Sequence, residues 1–166
     1  MISQARHAVR VTLQVMVLLA IGLAFFFRVP QVTGPSMLPR VEPGELVVIN
    51  TLAYRFGPIA RGDVVALHHD QPDAQTFLKR IVGMPGERVR IEAGALIVDG
   101  RRVNEPYVSF RDARSVPEVT VPANAFYVLG DNRAQSEDSR EWGAINAADI
   151  TGKALYGLWP PKKLAP

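Results

Sequence analysis

The sequence contains no cysteine, only three histidines, and a single long apolar run. Without cysteine there is no disulfide framework, no thiolate metal site and no cysteine nucleophile. His68 and His69 are adjacent at the end of a β-like run, so their side chains are expected on opposite faces. They read as solvated strand-end residues, and with only His7 besides them no metal site is expected. Aromatic residues make up 8% of the chain and do not interleave with a Lys/Arg stripe, which argues against a nucleic-acid partner. A surplus of one charge is lacking too. Of 19 basic residues, Arg6 and Arg10 precede the apolar run, leaving 17 against 16 acidic residues after Phe27.

The apolar run is "VTLQVMVLLAIGLAFFF", Val11 to Phe27. As a helix it reaches roughly 26 Å, slightly short of a ~30 Å hydrocarbon core, and Arg10 and Arg28 can snorkel to make up the difference. Arg6 and Arg10 lie before it and Arg28 after it, so the positive-inside rule favours a cytoplasmic N-terminus. His7 then lies on the far side of the membrane from everything that follows. The stretch "FFFRVPQVTG" is bulky and basic where a leader-cleavage site would carry small residues, so the anchor is expected to stay attached. The predicted organisation is residues 1–10 in the cytoplasm, 11–27 as a single-pass anchor in the cell membrane, with lipid as its partner, and 28–166 as one extracytoplasmic domain.

That domain reads as mainly β and antiparallel. "LVVINTLAY", "DVVALHH", "FLKRIVGM" and "AFYVLG" are short runs of branched and aromatic residues set between Gly, Pro and Asp. In "RVRIEAGALIVDGRRV", Val89 and Ile91 alternate with charged neighbours, and Asp99-Gly100 is a favoured hairpin turn, predicting a protruding hairpin over residues 88–103. "INAADI" reads as a short helical turn and the tail "PPKKLAP" as loose.

Three stretches could carry chemistry. "GPSMLPR" places Ser36 between two prolines just beyond the anchor. A serine needs a base to take its proton, and no histidine is suitably placed. A lysine can serve if burial holds it neutral, since its usual pKa of about 10.4 leaves on the order of one molecule in a thousand deprotonated near pH 7.4. Lys79 in "TFLKRIVGMPGE" has Phe77, Leu78, Ile81 and Val82 around it. Arg80 follows, and because successive strand residues face opposite ways, one of the two cations must point inward or lie at an edge. The third stretch, "GDNRAQSEDSREWG" from Gly130 to Gly143, is densely polar directly after an apolar strand, as a fixed shell orienting a lysine and a substrate would be.

Together these stretches resemble the type I signal peptidases, membrane-anchored serine proteases with a Ser/Lys dyad. The resemblance covers nearly the whole chain, in order: anchor, "SMLP" around Ser36, "RGDVVAL" from Arg61, "KRIVGMPGE" from Lys79 and "GDNRAQSEDSREWG". It implies an antiparallel β catalytic domain of the signal-peptidase type with one N-terminal transmembrane helix. It makes Ser36 the nucleophile and Lys79 the general base, with Ser136 orienting the lysine and Asp131, Asp138 and Arg140 supporting the site. Met37 follows the nucleophile as in the family. The chain departs from the family pattern at Arg40, where Thr is usual, and at Gly34, where some members carry an oxyanion-binding serine. The Ser36 backbone N–H is then the chief expected oxyanion donor.

The substrates so implied are signal peptides of exported preproteins, cut after small residues at −1 and −3, with neither metal nor cofactor. Val32, Met37 and Leu78 flank the dyad and are candidates for the walls of a shallow pocket. Alternatives are a specialised Ser/Lys peptidase of the conjugation or organelle inner-membrane type, and a non-catalytic, membrane-tethered β domain that binds peptides. A self-cleaving repressor of the LexA type would need a DNA-binding region for which the chain has no room.

Overall fold

The computed structural model describes residues 2–69, 76–158 and 161–164. A helix, α1 (Ile2–Phe26), is exposed from Arg6 to Phe26 except at half-buried Gly22, and this segment has a mean hydropathy of 2.1 with none of it buried against the rest of the chain. At 1.5 Å per residue this segment reaches about 32 Å, enough for a hydrocarbon core. The helix stops one residue before the predicted end of the anchor. Phe27 instead opens the first strand, and the Phe26 carbonyl accepts from both the backbone N–H and the hydroxyl of Thr51, at 3.0 and 3.2 Å. The anchor therefore runs into the sheet without a linker.

The remaining elements are β1 (Phe27–Arg28), β2 (Val47–Asn50), α2 (Ala53–Phe56), β3 (Val64–Leu67), β4 (Phe77–Gly83), β5 (Arg88–Glu92), β6 (Ala95–Val98), β7 (Arg101–Arg102), β8 (Val116–Thr120), β9 (Ala125–Leu129), α3 (Ser139–Trp142), β10 (Ile145–Asn146), β11 (Ile150–Leu158) and β12 (Pro161–Lys163). One sheet runs β1-β2-β11-β3-β4-β9-β10 with β12 on β11, and a second runs β7-β6-β5-β8. Every pairing among these strands is antiparallel. The fold is thus mainly antiparallel β behind one N-terminal apolar helix, as the sequence predicts.

Strand β4 lies between β3 and β9, and every residue from Leu78 to Gly83 is buried. Its faces enter different parts of the core. Ile81 packs with Val65, Leu67 and Phe126, whereas Leu78 packs with Met37 and Ile49, and Val82 with Val89 and Tyr127. Lys79 and Arg80 lie in regular register opposite Val65 and Val64, so they face opposite ways as expected, but a strand covered on both faces has no outward side and the inward place falls to both. Both are buried, at 2% and 1% exposure.

The expected hairpin over 88–103 is two successive turns. Ala93-Gly94 joins β5 to β6 with φ of 44° and 79°, and Asp99-Gly100 joins β6 to β7 with φ of 49° and 76°. Positive φ at both central positions is the type I′ requirement. Gly94 is doubly constrained, since a Cβ there would lie 2.0 Å from the Asp112 carbonyl oxygen.

The short helical turn expected in "INAADI" is a 3₁₀ turn, Ala147–Asp149, between two strands. Two readings are corrected. The stretch "LVVINTLAY" is a strand only as far as Asn50 and then turns into α2. The tail is not loose over residues 161–164: β12 pairs with β11, and Leu164 is fully buried beside Met37 and Val41.

Candidate active site

The loop that carries Ser36 is fixed at both ends. Gln31 bridges Leu46, Val32 N–H donates to the Glu45 carbonyl at 2.9 Å, and Gly44 N–H to the Val32 carbonyl at 2.7 Å. Between them Leu38 N–H closes a turn on the Pro35 carbonyl at 3.1 Å, and Met37 and Val41 are driven fully into the core. Burying Met37 leaves its neighbour Ser36 half-buried at the surface of the turn. The polar loop after β9 grips the same turn, with Asn132 N–H on the Ser36 carbonyl at 2.9 Å and Asn132 Nδ2 on the Pro35 carbonyl at 3.1 Å. Arg40 at the family's Thr position ties the far side to the tail, donating to the Lys163 carbonyl at 3.1 Å.

Ser36, Lys79 and Ser136 line one open cavity of about 720 Å³, with Val32, Phe77 and Leu78 among its apolar wall residues. Such a volume suits a short peptide segment or a small ligand. Met37 is not part of this lining; it lies beneath, packed with Val32 and Leu78 in the core. Among the described residues no hydrogen bond joins Lys79 Nζ to either serine hydroxyl, and Ser136 Oγ donates to the Glu137 carbonyl at 3.5 Å. Catalytic contacts in unliganded sites are commonly loose and tighten when substrate arrives.

Burial pushes the Lys79 amine down from 10.5 to about 8; the carboxylates of Asp138 and Glu137 oppose this, and the Arg140 guanidinium adds to it. Its Nζ lies 5.5 Å from the centre of the Phe77 ring and 5.7 Å from that of Trp142. A lysine in this setting is half neutral near pH 8 and can act as a base there.

The polar stretch from Gly130 builds the floor. Arg80 and Asp131 form a buried two-point pair, and Arg80 Nη1 also donates to the Gly62 carbonyl at 2.6 Å. Asp138 accepts from Gly130 N–H at 3.0 Å and from Arg140 Nε and Nη2 at 2.8 and 2.9 Å. Burial alone would raise the Asp138 carboxyl, but the Arg140 contacts and the Gly130 N–H outweigh it and hold it low. Arg140 reaches on to the carbonyls of Arg133 and Ser136 at 2.8 and 3.0 Å, so an anchored guanidinium sets the curvature of this loop. Asp131, Asp138 and Arg140 thus shape the backbone around Ser136 and stay outside the cavity lining.

Two features escaped the sequence reading. Glu105 and Arg133 form a further buried ion pair, beside those of Arg80 with Asp131 and Arg140 with Asp138, with Arg133 Nε donating to the Gly130 carbonyl at 3.0 Å. His68 and His69 are half-buried, contrary to the solvated placement expected, and His69 stacks on Trp142 with ring centroids 4.5 Å apart. Both depend on contacts between distant segments and leave no local signature. Among the described residues no cluster of His, Asp and Glu suited to a metal ion is found.

Residues 5–159 match the family described as signal peptidase, peptidase S26. A signal peptidase I of Bacillus caldolyticus is 37% identical over 155 residues, covering 85% of this chain and 84% of its own. A signal peptidase I of Leptolyngbya laminosa is 35% identical over 162 residues, covering 92% and 79%. Among solved structures, a signal peptidase I from Enterococcus faecalis V583 aligns with a TM-score of 0.48 at 29% identity, covering 58% of this chain and 97% of that one.

Proposed function

The chain belongs to the signal peptidase family, peptidase S26, and from that membership we propose that Ser36 and Lys79 are its catalytic dyad. It is a membrane-anchored serine endopeptidase that removes signal peptides from preproteins. The observation that carries the dyad is the burial of Lys79 in the wall of the cavity that Ser36 also lines.

Neutral Lys79 takes the Ser36 proton as Ser36 Oγ bonds the scissile carbonyl carbon. The Ser36 backbone N–H faces the developing oxyanion and donates to no backbone carbonyl among the described residues. Collapse breaks the C–N bond, and the lysinium gives its proton to the leaving amine. Lys79 then takes a proton from water as its oxygen attacks the ester carbon, the bond from that carbon to Ser36 Oγ breaks, and the lysinium returns its proton to Ser36 Oγ, restoring both residues. Ser136 is the orienting hydroxyl of this scheme; it borders the same cavity.

Val32 and Leu78 would form the walls that admit only small side chains at −1 and −3, by overlap with anything larger. Arg6 and Arg10, in the first part of α1 ahead of its uncharged run, support placing residues 1–10 in the cytoplasm, and the domain from residue 28 outside it, against the lipid surface. Anchoring keeps enzyme and preprotein in one plane, which raises their effective concentration.

Trapping the acyl-enzyme tests the dyad. A small-side-chain peptide with an activated ester should add its acyl mass to the tryptic peptide holding Ser36, faster as the pH rises through about 8, and not at all in Ser36→Ala. An adduct on another residue would remove Ser36 from the nucleophile role.

A further inference from the structure

We propose that Trp142, held in place by its stack on His69, is the positioning residue that keeps water off the Lys79 amine and so sets the pH at which the enzyme works. The inference rests on Lys79 being the base.

Trp142 closes α3, whose N-cap is Asp138, and its backbone N–H donates to the Asp138 carbonyl at 3.0 Å. The helix therefore links the polar floor of the site to an aromatic cover. His69, two residues beyond β3, stacks on the indole at an interplanar angle of 22°, and Phe77 meets the indole edge-on at 5.1 Å. Lys79 stands on the neighbouring strand opposite Val65, with both Phe77 and Trp142 within cation–π range. Neither His69 nor Trp142 has a role in the acyl-transfer steps above.

The rings act on the amine in two ways of opposite sign. As apolar bulk they exclude water, which disfavours lysinium. As π faces they attract the cation, which favours it. Exclusion dominates in the resting site, while the π faces partly compensate the lysinium that forms when Ser36 gives up its proton. The other charged groups around the amine are the carboxylates of Glu137 and Asp138 and the Arg140 guanidinium, with Glu141 and Arg114 paired at 3.0 Å on the cavity rim. These groups act on the amine by charge, whereas Phe77 and Trp142, with ring centres 5.5 and 5.7 Å from Nζ, are the aromatic part of its apolar cover.

The test is the pH dependence of kcat/KM for a preprotein, measured on the full chain in detergent. In Trp142→Ala the acid limb, set in the parent near pH 8, should move up by roughly one pH unit as water reaches the amine. Trp142→Phe should return most of that shift. His69→Ala, which frees one face of the indole, should move the limb the same way by less, and His69→Phe should restore it. A Trp142→Ala enzyme slowed by one factor at every pH, with its limb unmoved, would reduce Trp142 to a structural residue and overturn the proposal. If that variant does not fold, an identical limb in His69→Ala and the parent overturns it. Retained activity in Lys79→Ala would instead sink the dyad itself, and the proposal with it.

Discussion

Arg80 and Asp131 meet in a two-point ion pair, Nε to Oδ1 at 2.8 Å and Nη2 to Oδ2 at 2.6 Å, one residue along β4 from Lys79. Both side chains are about 1% exposed, and the Tyr107 ring covers the guanidinium at 4.2 Å. Removing one partner strands a charge in the core, at a cost of about 3–5 kcal/mol. Asp131→Ala should therefore unfold well below the parent by thermal denaturation, whereas Arg80→Met combined with Asp131→Leu should recover much of the loss. A single variant as stable as the parent would show that the pair does not hold the floor of the site.

The buried lysine costs the fold stability in a defined pH window. Its folded value of about 8 lies below the ordinary 10.5, so the unfolded chain binds the extra proton between those values. Stability then rises with pH across that window. At pH 7 the penalty is on the order of a few kcal/mol. Lys79→Met should lose activity yet unfold at a higher temperature than the parent at pH 7, and the advantage should shrink towards pH 10. Equal midpoints at pH 7 would contradict the desolvated amine.

Gly130 is where the polar loop touches the Ser36 turn. A Cβ there would lie 2.2 Å from Ser136 Oγ and 2.5 Å from the Ser36 carbonyl oxygen, the acceptor of the Asn132 N–H. Gly130→Ala should push the two serines apart and lower kcat/KM by on the order of a hundredfold. Gly34→Ala, with nothing within 4 Å of the added carbon, should leave the unfolding temperature where it was. Unchanged kcat/KM in Gly130→Ala would mean that the turn is not held to this geometry.

The tail clamps the Ser36 loop and β4 from below. Leu164 fills the core beside Met37, its carbonyl accepts from Arg80 at 3.4 Å, and Lys162 pairs with Glu45 at 2.9 Å. Leu164→Ala should cost about 2–5 kcal/mol, read as a lowered thermal midpoint. A neutral result would return the tail to the loose state that composition suggests.

How much of this was legible depends on where the information sits. The apolar run before Arg28, the β runs and the ordered "SMLP", "KRIVGMPGE" and "GDNRAQSEDSREWG" stretches carry their meaning locally, and they named Ser36 and Lys79. That Arg80 is buried as well as Lys79 follows from both faces of β4 being covered, a property of the sheet and not of the strand. Leu164 sits among prolines and lysines that read as a loose end, and its burial follows from β12 pairing with β11. The stack of His69 on Trp142 joins residues 73 positions apart (69 to 142), and no periodicity records it. The Ala93-Gly94 turn was missed because alanine at positive φ is not the Asn or Asp that such turns favour.

The most direct test is cleavage of a preprotein by the intact protein in detergent, beside Ser36→Ala and Lys79→Ala variants verified as folded, with the new N-terminus of the product sequenced. The parent should cut once, after a small residue with another small residue two positions before it, and both variants should leave the preprotein whole. A folded Ser36→Ala or Lys79→Ala protein that cuts as fast as the parent would contradict the dyad.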